Sequence, residues 1–404
     1  MTWPMKPLSE LCVLAIDCVN KTAPVVEGPT PYKMIRTTNV KGGFIDTETV
    51  RYVTKDTFEK WTRRSRPQYG DVILSREAPV GEVGRCTFDD SQNIFLGQRL
   101  FQYRPKSELL DWNYLAYALQ SPVVQNKLHG VSFGATVPHV KVGDAENLEI
   151  PCPELSVQKY VGGTLAAYDD LIENNQRRIA LLEESAHLLY REWFVNLRFP
   201  GHESYPSVDG IPEGWARKSI SDMVQINPKA AFEKDRIYPF VPMQALSECS
   251  MLIEGTEERA ISGGAKFQNQ DTLLARITPC LENGKTGFVQ FLEEDKPVAS
   301  GSTEFIVMRS KSVSPYWVYC TARDESFRKH AIGSMVGSDG RQRVNPKCFD
   351  SYFAFQPPED VLNDFDETVE PMFKEIQLLS RMNQRLREAR DALLLKLMSG
   401  EIQV

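Results

Sequence analysis

The 404-residue sequence has few of the residues that usually form metal and redox sites. Its five histidines form no H-E-x-x-H pattern and its eight cysteines form no C-x-x-C pair, so neither a zinc site nor a disulfide framework is predicted. No segment approaches the ~20 consecutive apolar residues of a membrane-spanning helix. The first residues also lack the basic and apolar segments of a signal peptide, so a cytoplasmic protein with reduced thiols is expected.

A phosphate-binding loop is missing as well. The nearest candidate is Gly284-Lys285-Thr286, but Pro279 occupies the position of the loop's first glycine. Because proline has no backbone N–H to offer a phosphate, this segment is interpreted as a turn. The sequence therefore favours a binding protein or a scaffold over an enzyme, and neither a cofactor nor a metal is expected in this chain.

Charge and length limit the remaining classes. The formal net charge of −7 argues against a protein that coats nucleic acid without sequence preference, although it leaves room for basic patches. The composition, 42% hydrophobic and 25% charged, is that of a globular protein. At roughly 100–200 residues per domain, the length predicts two or three domains.

The sequence contains an internal repeat. Residues 3–11 resemble residues 215–223, and residues 71–79 resemble residues 271–279. Further along, Gly97 corresponds to Gly301, and Tyr114-Leu115 corresponds to Tyr316-Trp317. This period is too long for a solenoid, so it indicates two related domains in tandem.

Each copy of the repeat combines short β-rich runs with helical segments and ends in a long amphipathic helix. We therefore predict an α+β protein with two mixed α/β domains in tandem, separated by two long helices that pack as an antiparallel coiled coil. The predicted strands cover residues 71–75, 94–103, 272–275, 287–291 and 304–308, and shorter helices lie near 111–120 and 315–323. The predicted boundaries are 1–153 for the first domain, 154–196 for a central helix, 197–214 for a linker rich in Pro, Gly and Ser, 215–357 for the second domain and 358–404 for a distal helix.

Both long helices carry residues at a strict three-four spacing, which is typical of a coiled-coil seam. Two narrow stripes favour packing against each other, and the alternative is that each helix packs only on its own domain. Each seam contains one asparagine, Asn175 or Asn383, which can fix the register if the two side chains face each other. Pro371 marks a first turn or a kink, so the distal helix is expected in two pieces. The predicted seam residues are Ile172, Asn175, Ile179, Leu182, Leu189, Trp193, Ile376, Leu379, Asn383, Leu386, Leu393 and Leu397, with Arg390 the one discordant residue.

Three segments of the sequence resemble a known family. They are Tyr190-Arg191-Glu192-Trp193-Phe194 running into Arg198-Phe199-Pro200-Gly201-His202-Glu203, then Ile211-Pro212-Glu213-Gly214-Trp215, and finally residues 390–402 with Lys396-Leu397-Met398-Ser399-Gly400. With the duplicated plan of domain and helix, they are similar to the specificity (S) subunits of type I restriction-modification systems over essentially the whole chain. One departure is that Gln158-Lys159 enters the central helix as in the family, whereas Glu359-Asp360 enters the distal helix.

The resemblance implies a non-catalytic reader of double-stranded DNA. Each domain would be a target recognition domain for one half of a bipartite, asymmetric sequence, and the helices would recruit two modification (methyltransferase) subunits. Adenine methylation from S-adenosylmethionine would belong to those partners, and translocation and cleavage with ATP and Mg would belong to restriction subunits, where these are present. In agreement, Asn227-Pro228-Lys229 and Asn345-Pro346-Lys347 lack the second proline of the adenine methyltransferase motif.

Helix length adds a geometric expectation. About 30 helical residues, from Leu165 to Phe194, span roughly 45 Å at ~1.5 Å per residue. DNA rises ~3.4 Å per base pair. We therefore expect two half-sites about one helical turn of DNA apart or somewhat more, with a spacer whose length the helices set.

Candidate DNA contacts are long polar side chains on segments that can reach a groove. The segment from Gly337 to Arg343 is the best candidate in the second domain and corresponds to the segment from Gly134 to Lys141 in the first; the alternative is an exposed polar loop. The candidates are Arg36, Thr37, Asn39, Lys41, Arg63, Arg64, Arg76, His139, Lys141, Gln244, Arg276, Ser338, Arg341, Gln342 and Arg343.

Several candidates have a structural alternative. Residues 36–41 align with residues 242–246, where Gln244 is the polar residue, and both segments are equally consistent with a polar loop after a strand. The basic cluster of residues 63–66 is assigned to phosphate or to solvent. Arg76 and Arg276 each follow a strand, and the alternatives are that they face a groove or that they form a structural ion pair within each domain. Because they are equivalent in the repeat, a shared role in phosphate binding or fold maintenance is favoured over the reading of different bases.

Two other functions stay open at this point. A single-chain nuclease or methyltransferase built on duplicated DNA-recognition domains would need a metal-dependent acid cluster or a cofactor pocket. A pure scaffold would use its domains to bind protein.

Overall fold

The computed structural model describes residues 3–134, 138–233, 236–260, 263–338 and 340–402. The chain forms two compact units. The first comprises the residues up to Glu173 together with those from Gln384 onward, and the second comprises Asn174–Asn383. Each unit therefore contains one copy of the repeat and one part of each long helix.

The first unit is built around an antiparallel four-stranded sheet. Its strand order is Cys12–Asp17, Leu100–Pro105, Val72–Arg76 and Val80–Arg85. A second sheet has the order Arg51–Tyr52, Tyr32–Ile35 and Asn93–Leu96, and two short pairs join Met5–Pro7 to Glu149–Pro151 and Val40–Lys41 to Phe44–Ile45. The shorter helices are Leu8–Leu11, Lys55–Trp61, Trp112–Gln120, Pro122–Val131 and Val142–Glu146, with a 3₁₀ turn at Thr37–Asn39.

The second unit repeats this plan. Its antiparallel sheet has the order Val224–Ile226, Phe305–Ser310, Thr272–Ala275 and Thr286–Phe288. The other sheet has the order Glu257–Ala260, Ile237–Val241, Val298–Gly301 and Ala265–Gln268, and two pairs join Ala216–Ser219 to Phe353–Gln356 and Ser207–Val208 to Ile211–Pro212. The shorter helices are Ile220–Met223, Pro315–Arg323 and Glu325–Gly333, with 3₁₀ turns at His202–Ser204, Met243–Ala245 and Pro346–Ser351.

The strand register shows how closely the two units correspond. Leu100 lies opposite Ser75 in the first unit, and Phe305 lies opposite Ala275 in the second. The predicted α+β fold with a duplicated domain is confirmed. The single run predicted over residues 94–103 is wrong, because Arg99 adopts a left-handed backbone (φ 73°) and separates two strands.

The paired glycines of the repeat share one packing reason. A Cβ on Gly97 would lie 2.9 Å from the carbonyl oxygen of Ile35, and a Cβ on Gly301 would lie 2.9 Å from that of Val241. Contacts that close to backbone force it to shift, so only glycine lets these strands approach.

A buried ion pair is also repeated. In the first unit Arg104 donates two hydrogen bonds of 2.8 Å to Asp71, whose side chain is fully buried. In the second, Arg309 donates bonds of 2.7 and 2.6 Å to the equally buried Asp271. The bidentate pairing supplies hydrogen bonds to a buried carboxylate that water does not reach. The two aspartates that reveal the repeat in the sequence therefore have a structural role.

The two long helices pair antiparallel within each unit. The central helix, Leu155–Tyr190, continues through a π-helical turn at Arg191–Val195, and the distal helix is Glu359–Met398. In the first unit Leu165 and Leu397 are buried in one apolar cluster. In the second unit Trp193 packs on Phe365 with ring centroids 5.8 Å apart. The predicted antiparallel coiled coil is confirmed.

Pro371 lies inside the distal helix, so the expectation of a first turn or of two helical pieces is wrong. The proline is exposed, whereas its neighbours Val369 and Phe373 are buried. The backbone N–H that Pro371 lacks is therefore on the solvent side of the helix. Packing of the apolar face keeps the helix continuous.

The segment predicted as a linker, residues 197–214, contains folded structure that packs on the second unit. Phe199 is buried with its ring centroid 5.3 Å from that of Trp215 and 5.1 Å from that of Tyr205. Asp209 and Gly210, both with positive φ, form the exposed turn of a short hairpin.

Gln158, at the entry of the central helix, has a structural role. The Gln158 carboxamide is buried and accepts a bond of 2.9 Å from the backbone N–H of Asp111, which itself caps the helix Trp112–Gln120. It also donates to the carbonyl oxygens of Leu109 and Pro153. This glutamine therefore fastens the central helix to the first unit.

Candidate nucleic-acid interface

Each unit presents one loop that the same backbone frame holds at its base. In the first unit Phe133 and His139 pair across the loop, and His139 also pairs with Glu77. In the second unit Val336 and Arg343 pair across the loop, and Arg343 also pairs with Ile277. We call these the first and second loops, residues 133–139 and 336–343. Of the predicted segments, residues 135–137 and 339 lie outside the described residues.

Arg76 and Arg276 belong to this frame. The backbone N–H of Arg76 donates to Arg99 and its carbonyl accepts from Val140, at 2.9 and 3.0 Å. The Arg76 guanidinium donates to the Val140 carbonyl at 2.8 Å, so its role in the fold is to fasten the end of the first loop. Among the described residues it has a carbonyl partner and no ion pair, so the ion-pair alternative is wrong for Arg76.

Arg276 has the same backbone role but a different side-chain environment. Its N–H donates to Glu304 and its carbonyl accepts from Val344, at 2.9 and 2.8 Å. The side chain lines an open cavity of about 600 Å³ together with Lys229 and Lys266. This cavity gives the second unit a concave basic surface beside its loop, the kind of surface that suits a phosphate.

The two arginines of the second loop have different roles. Arg343 donates three hydrogen bonds of 2.7 to 2.9 Å to the Glu304 carboxylate, and this pairing lowers the pKa of Glu304. Arg341 is exposed, and no side-chain partner for it lies among the described residues. Arg343 therefore fixes the loop base, and Arg341 is the long donor that the loop presents outward.

The other two candidates of the second loop differ in exposure. Gln342 is half-buried, and its backbone exchanges bonds of 3.0 and 3.1 Å with Thr278. Ser338 is exposed, and its carbonyl accepts from the N–H of Arg341. The loop is thus clipped to the turn that follows Arg276.

The first loop carries an aromatic platform. The Phe133 ring lies 4.0 Å from that of His139, and the Lys141 ammonium lies 4.8 Å from its centroid. Phe133 is itself 43% exposed. His139 and Lys141 are therefore brought together as predicted candidates, around an exposed ring that sequence reasoning did not select.

The loop of residues 36–49 changes the interpretation of two candidates. The Asn39 side chain is buried, accepts from the N–H of Arg36 at 3.0 Å and donates to the carbonyl of Thr49 at 3.1 Å. Arg36 also donates to the Thr49 carbonyl, at 3.3 Å. Asn39 is thus not placed to read a base, because its carboxamide closes the loop. Thr37 is half-buried and Lys41 is exposed on the same loop.

Gln244 lies at the equivalent place in the second unit. It is exposed on the 3₁₀ turn Met243–Ala245, as Thr37–Asn39 is the 3₁₀ turn of the first unit. Gln244 therefore presents an exposed polar side chain where the first unit presents Thr38.

The basic cluster of residues 63–66 is mostly engaged within the protein. Arg64 pairs with Asp17 at 2.6 Å, and Arg66 lies 4.7 Å above the Phe58 ring. Arg63 is exposed and donates to the carbonyl of Lys60. Arg63 thus has the freest surroundings of the three for a phosphate.

Sequence reasoning missed an ion pair at the base of each loop. Arg99 and Glu304 occupy equivalent positions, and each pairs across its loop base: Arg99 with Glu77 at 3.2 Å, and Glu304 with Arg343 at 2.7 Å. Their partners are not equivalent, since Glu77 corresponds to Ile277 and Arg343 corresponds to His139, so neither ion pair repeats in the sequence. Only strand register reveals that Arg99 and Glu304 are equivalent.

The predicted seam residues lie along the paired helices. Asn175 donates to the Asn383 side-chain oxygen at 2.9 Å, and both side chains are buried. Ile172, Ile179, Trp193, Ile376, Leu379 and Leu397 are buried, and Leu182, Leu189, Leu386 and Leu393 are half-buried.

Arg390, the discordant seam residue, has a buried acidic partner in the first unit. It pairs with Asp169, whose side chain is 1% exposed. Asp169 also accepts from the Tyr117 hydroxyl at 2.5 Å, and Arg85 lies 4.0 Å from it. We call these four residues the Asp169 cluster.

Two possible catalytic features are a metal site and a nucleophile elbow. No group of three or more His, Cys, Asp or Glu side chains among them is arranged to hold a metal ion. Residues 130–134 match the G-x-S-x-G spacing of a nucleophile elbow, but they form the end of the helix Pro122–Val131 and the residues after it, and the Ser132 hydroxyl donates to the His129 carbonyl. An elbow needs a strand-to-helix turn, so the match is coincidental.

No helix in the described ranges is both long and apolar enough to span a bilayer.

Comparison with known proteins gives a consistent family. Residues 2–184 match the model of the type I restriction modification DNA specificity domain. The chain is 25% identical over 369 residues to the type I restriction enzyme MjaIX specificity subunit of Methanocaldococcus jannaschii, which covers 88% of this chain and 82% of that protein. It is 20% identical over 403 residues to the HindI specificity subunit of Haemophilus influenzae, with coverages of 82% and 86%.

A solved structure shares the fold. The type I restriction-modification S subunit from M. genitalium matches with a TM-score of 0.56 at 14% identity, over 98% of this chain and 96% of that chain. The family model over residues 2–184, the relatives and the duplicated fold agree with one another, and the chain is similar to the specificity subunits of type I restriction-modification systems.

Proposed function

We propose that this chain reads a bipartite, asymmetric DNA sequence, with one half-site for each unit, and recruits modification and restriction subunits without catalysing a reaction itself. The observation that carries the proposal is a repeated frame with different side chains at equivalent positions. Both units keep the buried Asp–Arg pair and the clipped loop, yet Phe133, His139 and Lys141 stand where the second unit has Val336, Arg343 and Asn345.

A shared backbone frame with different side chains suits two domains that recognise different DNA sequences. The shared frame holds the base of each loop, while the exposed side chains determine which base edges are contacted. Arg341 and Gln244 in the second unit, and Lys141 in the first, are the exposed long donors that we assign to DNA. Arg276, Lys229 and Lys266 form a basic concave surface that we assign to the phosphate backbone.

The chemistry is assigned to partner subunits. Methyl transfer from S-adenosylmethionine to adenine is placed on two modification subunits, and ATP- and Mg-dependent cleavage on restriction subunits. The two long helices, which contribute to both units, are the surfaces to which we assign the docking of these partners.

The proposal is tested by co-expression with modification subunits encoded beside this chain, followed by mapping of methylated adenines. The expected result is one motif of two unlike half-sites around a fixed spacer. A palindromic motif, or methylation without a motif, would contradict the proposal. A strain that expresses the modification subunits alone is the control for background methylation.

The rival enzymatic function has its own test. Purified chain alone is incubated with DNA, Mg²⁺ and S-adenosylmethionine, and we expect neither cleavage nor methylation. Turnover that persists through purification would favour a single-chain nuclease or methyltransferase. A pure scaffold is excluded if the reconstituted complex retains DNA that carries the mapped motif over a scrambled duplex.

A further inference from the structure

The two long helices are copies of one another in register. Residue 359 begins the distal helix and residue 155 begins the central helix, a separation of 204 residues that also relates Arg343 to His139 at the loop bases. With this shift every central seam position falls on a distal seam position. The equivalent apolar pairs are Ile172 and Ile376, Leu182 and Leu386, Leu189 and Leu393, and Trp193 and Leu397.

Equivalent apolar seams create an ambiguity of pairing. A central helix offers the same pattern of large apolar residues that a distal helix offers, so its apolar residues suit a second central helix as well as the distal one. Two copies of this chain have matching surfaces for a like-with-like pairing of helices. Something other than the apolar residues must favour the pairing of central with distal helix.

The first polar exception is the asparagine pair. Asn175 is equivalent to Leu379, and Asn383 is equivalent to Ile179, so the two asparagines do not occupy the same position in the repeat. They nevertheless meet in the second unit, where Asn175 donates to Asn383 at 2.9 Å and both are buried. This contact exists only when a central helix pairs with a distal one.

The second polar exception is the Asp169–Arg390 ion pair of the first unit. Its equivalents are Phe373 and Ala186, which are 1% and 2% exposed in the apolar cluster of the second unit. Asp169 is itself fully buried. This pair of positions is therefore charged in the first unit and apolar in the second.

The consequences for like-with-like pairing follow from the register. In a pair of two central helices, Asn175 would face Ile179 of the other copy and Asp169 would face Ala186. In a pair of two distal helices, Asn383 would face Leu379 and Arg390 would face Phe373. Each arrangement buries a carboxamide and a charge against apolar groups, which is strongly unfavourable.

We propose that the Asn175–Asn383 and Asp169–Arg390 pairs select the complementary helix as partner and reject the equivalent helix of a second copy. The central helix therefore pairs with a distal helix and does not pair with the central helix of a second copy. A complex built on this chain then always contains two unlike recognition units. The argument rests on helix packing alone and is independent of the proposed DNA binding.

The test begins from the intact protein. A cleavage sequence for a site-specific protease is inserted at the exposed Asp209–Gly210 turn, and the folded protein is cut into residues 1–209 and 210–404. The pieces, one carrying a mass tag, are separated in urea, mixed in equal amounts and refolded. Native mass spectrometry then counts unlike and like pairs of pieces.

For the unchanged sequence we expect unlike pairs to exceed like pairs by about 100-fold or more, the ratio implied by one uncompensated buried charge. Like pairs at the statistical ratio would overturn the proposal. The first variant, Asn175→Leu with Asn383→Ile, is expected to raise the share of like pairs at least tenfold, and an unchanged share would count against the asparagines.

A second variant adds Asp169→Phe and Arg390→Ala, so that both helices carry the apolar residues of their equivalents. It is expected to approach the statistical mixture, and exclusive unlike pairing would overturn the proposal. The matched control, Arg178→Ala with Glu375→Ala, removes an ion pair that is 50% and 42% exposed, and is expected to leave the ratio unchanged. Because the unchanged sequence is tested first, the proposal stays falsifiable even if a variant fails to refold.

Discussion

Replacing Arg390 with alanine removes one partner of a buried ion pair and leaves the other in place. The Asp169 side chain is 1% exposed and that of Arg390 is 15% exposed, so neither charge is well solvated. Breaking such a pair costs ~3–5 kcal/mol when the remaining charge has no other partner. Asp169 keeps the Tyr117 hydroxyl at 2.5 Å and Arg85 at 4.0 Å, which lowers the expected loss in free energy of unfolding to about 2–3 kcal/mol.

Two measurements check this value. Urea denaturation reports the loss in stability, and hydrogen exchange with mass spectrometry locates it, since protection should fall over residues 155–173 and 384–398 of the first unit. The control is Arg178→Ala, whose exposed pair with Glu375 contributes about 0–1 kcal/mol. A loss no larger than that of the control, or deprotection confined to the second unit, would refute the reasoning.

Three further predictions concern the frame, the pH dependence and the spacer. Gly97→Ala and Gly301→Ala should each cost about 1–3 kcal/mol of stability in a denaturation experiment, because each Cβ meets a backbone oxygen at 2.9 Å, whereas Gly130→Ala has open space and should gain up to ~1 kcal/mol. Burial raises the pKa of Asp366 to about 6, with Glu370 adding to the effect, so its contribution to stability is complete below its ordinary pKa of 3.8 and is lost as the pH rises through 6. Asp366→Asn should therefore stabilise the protein at pH 8 by on the order of 1 kcal/mol after allowance for solvent screening, and an effect that is the same at pH 4 and pH 8 would contradict the assignment. Inserting seven residues after Glu173 and seven before Gln384 preserves both seams and adds ~10 Å, so the mapped spacer should lengthen by about three base pairs. The same insertion at the Asp209–Gly210 turn is the control and should leave the spacer unchanged.

The architecture is largely predictable from the sequence because its strongest signals are local or repeated. The three-four spacing of the helices predicts a seam, and the seam forms as expected around Asn175 and Asn383. The repeat around Asp71 and Asp271 predicts two related domains, since each aspartate serves the same buried pair. Regular helix packing and domain duplication both produce residue patterns that recur along the sequence.

Features that depend on distant partners are not predictable in this way. Arg390 is discordant in its seam because its partner, Asp169, is 221 residues away and is not among the predicted seam residues. The break between the strands at Arg99 depends on a left-handed backbone at a residue other than glycine. Asn39 has the composition of a base reader, but polar side chains that close a loop and those that face a groove are the same residue types.

The candidate site is predictable in outline only. The two loops are found from the repeat, whereas the division of labour between Arg341 and Arg343 requires the position of Glu304. Likewise the platform of Phe133 beneath His139 and Lys141 follows from strand pairing at the loop base.

The central claim is that each unit reads its own half of the target. The most direct measurement is a map of methylated adenines for two complexes, one carrying Lys141→Ala and the other Arg341→Ala, beside the unchanged chain. Each change should relax the motif at one base position by about 1–3 kcal/mol of discrimination, in opposite half-sites. Relaxation of the same half-site by both changes, or of both half-sites by either one, would contradict the account.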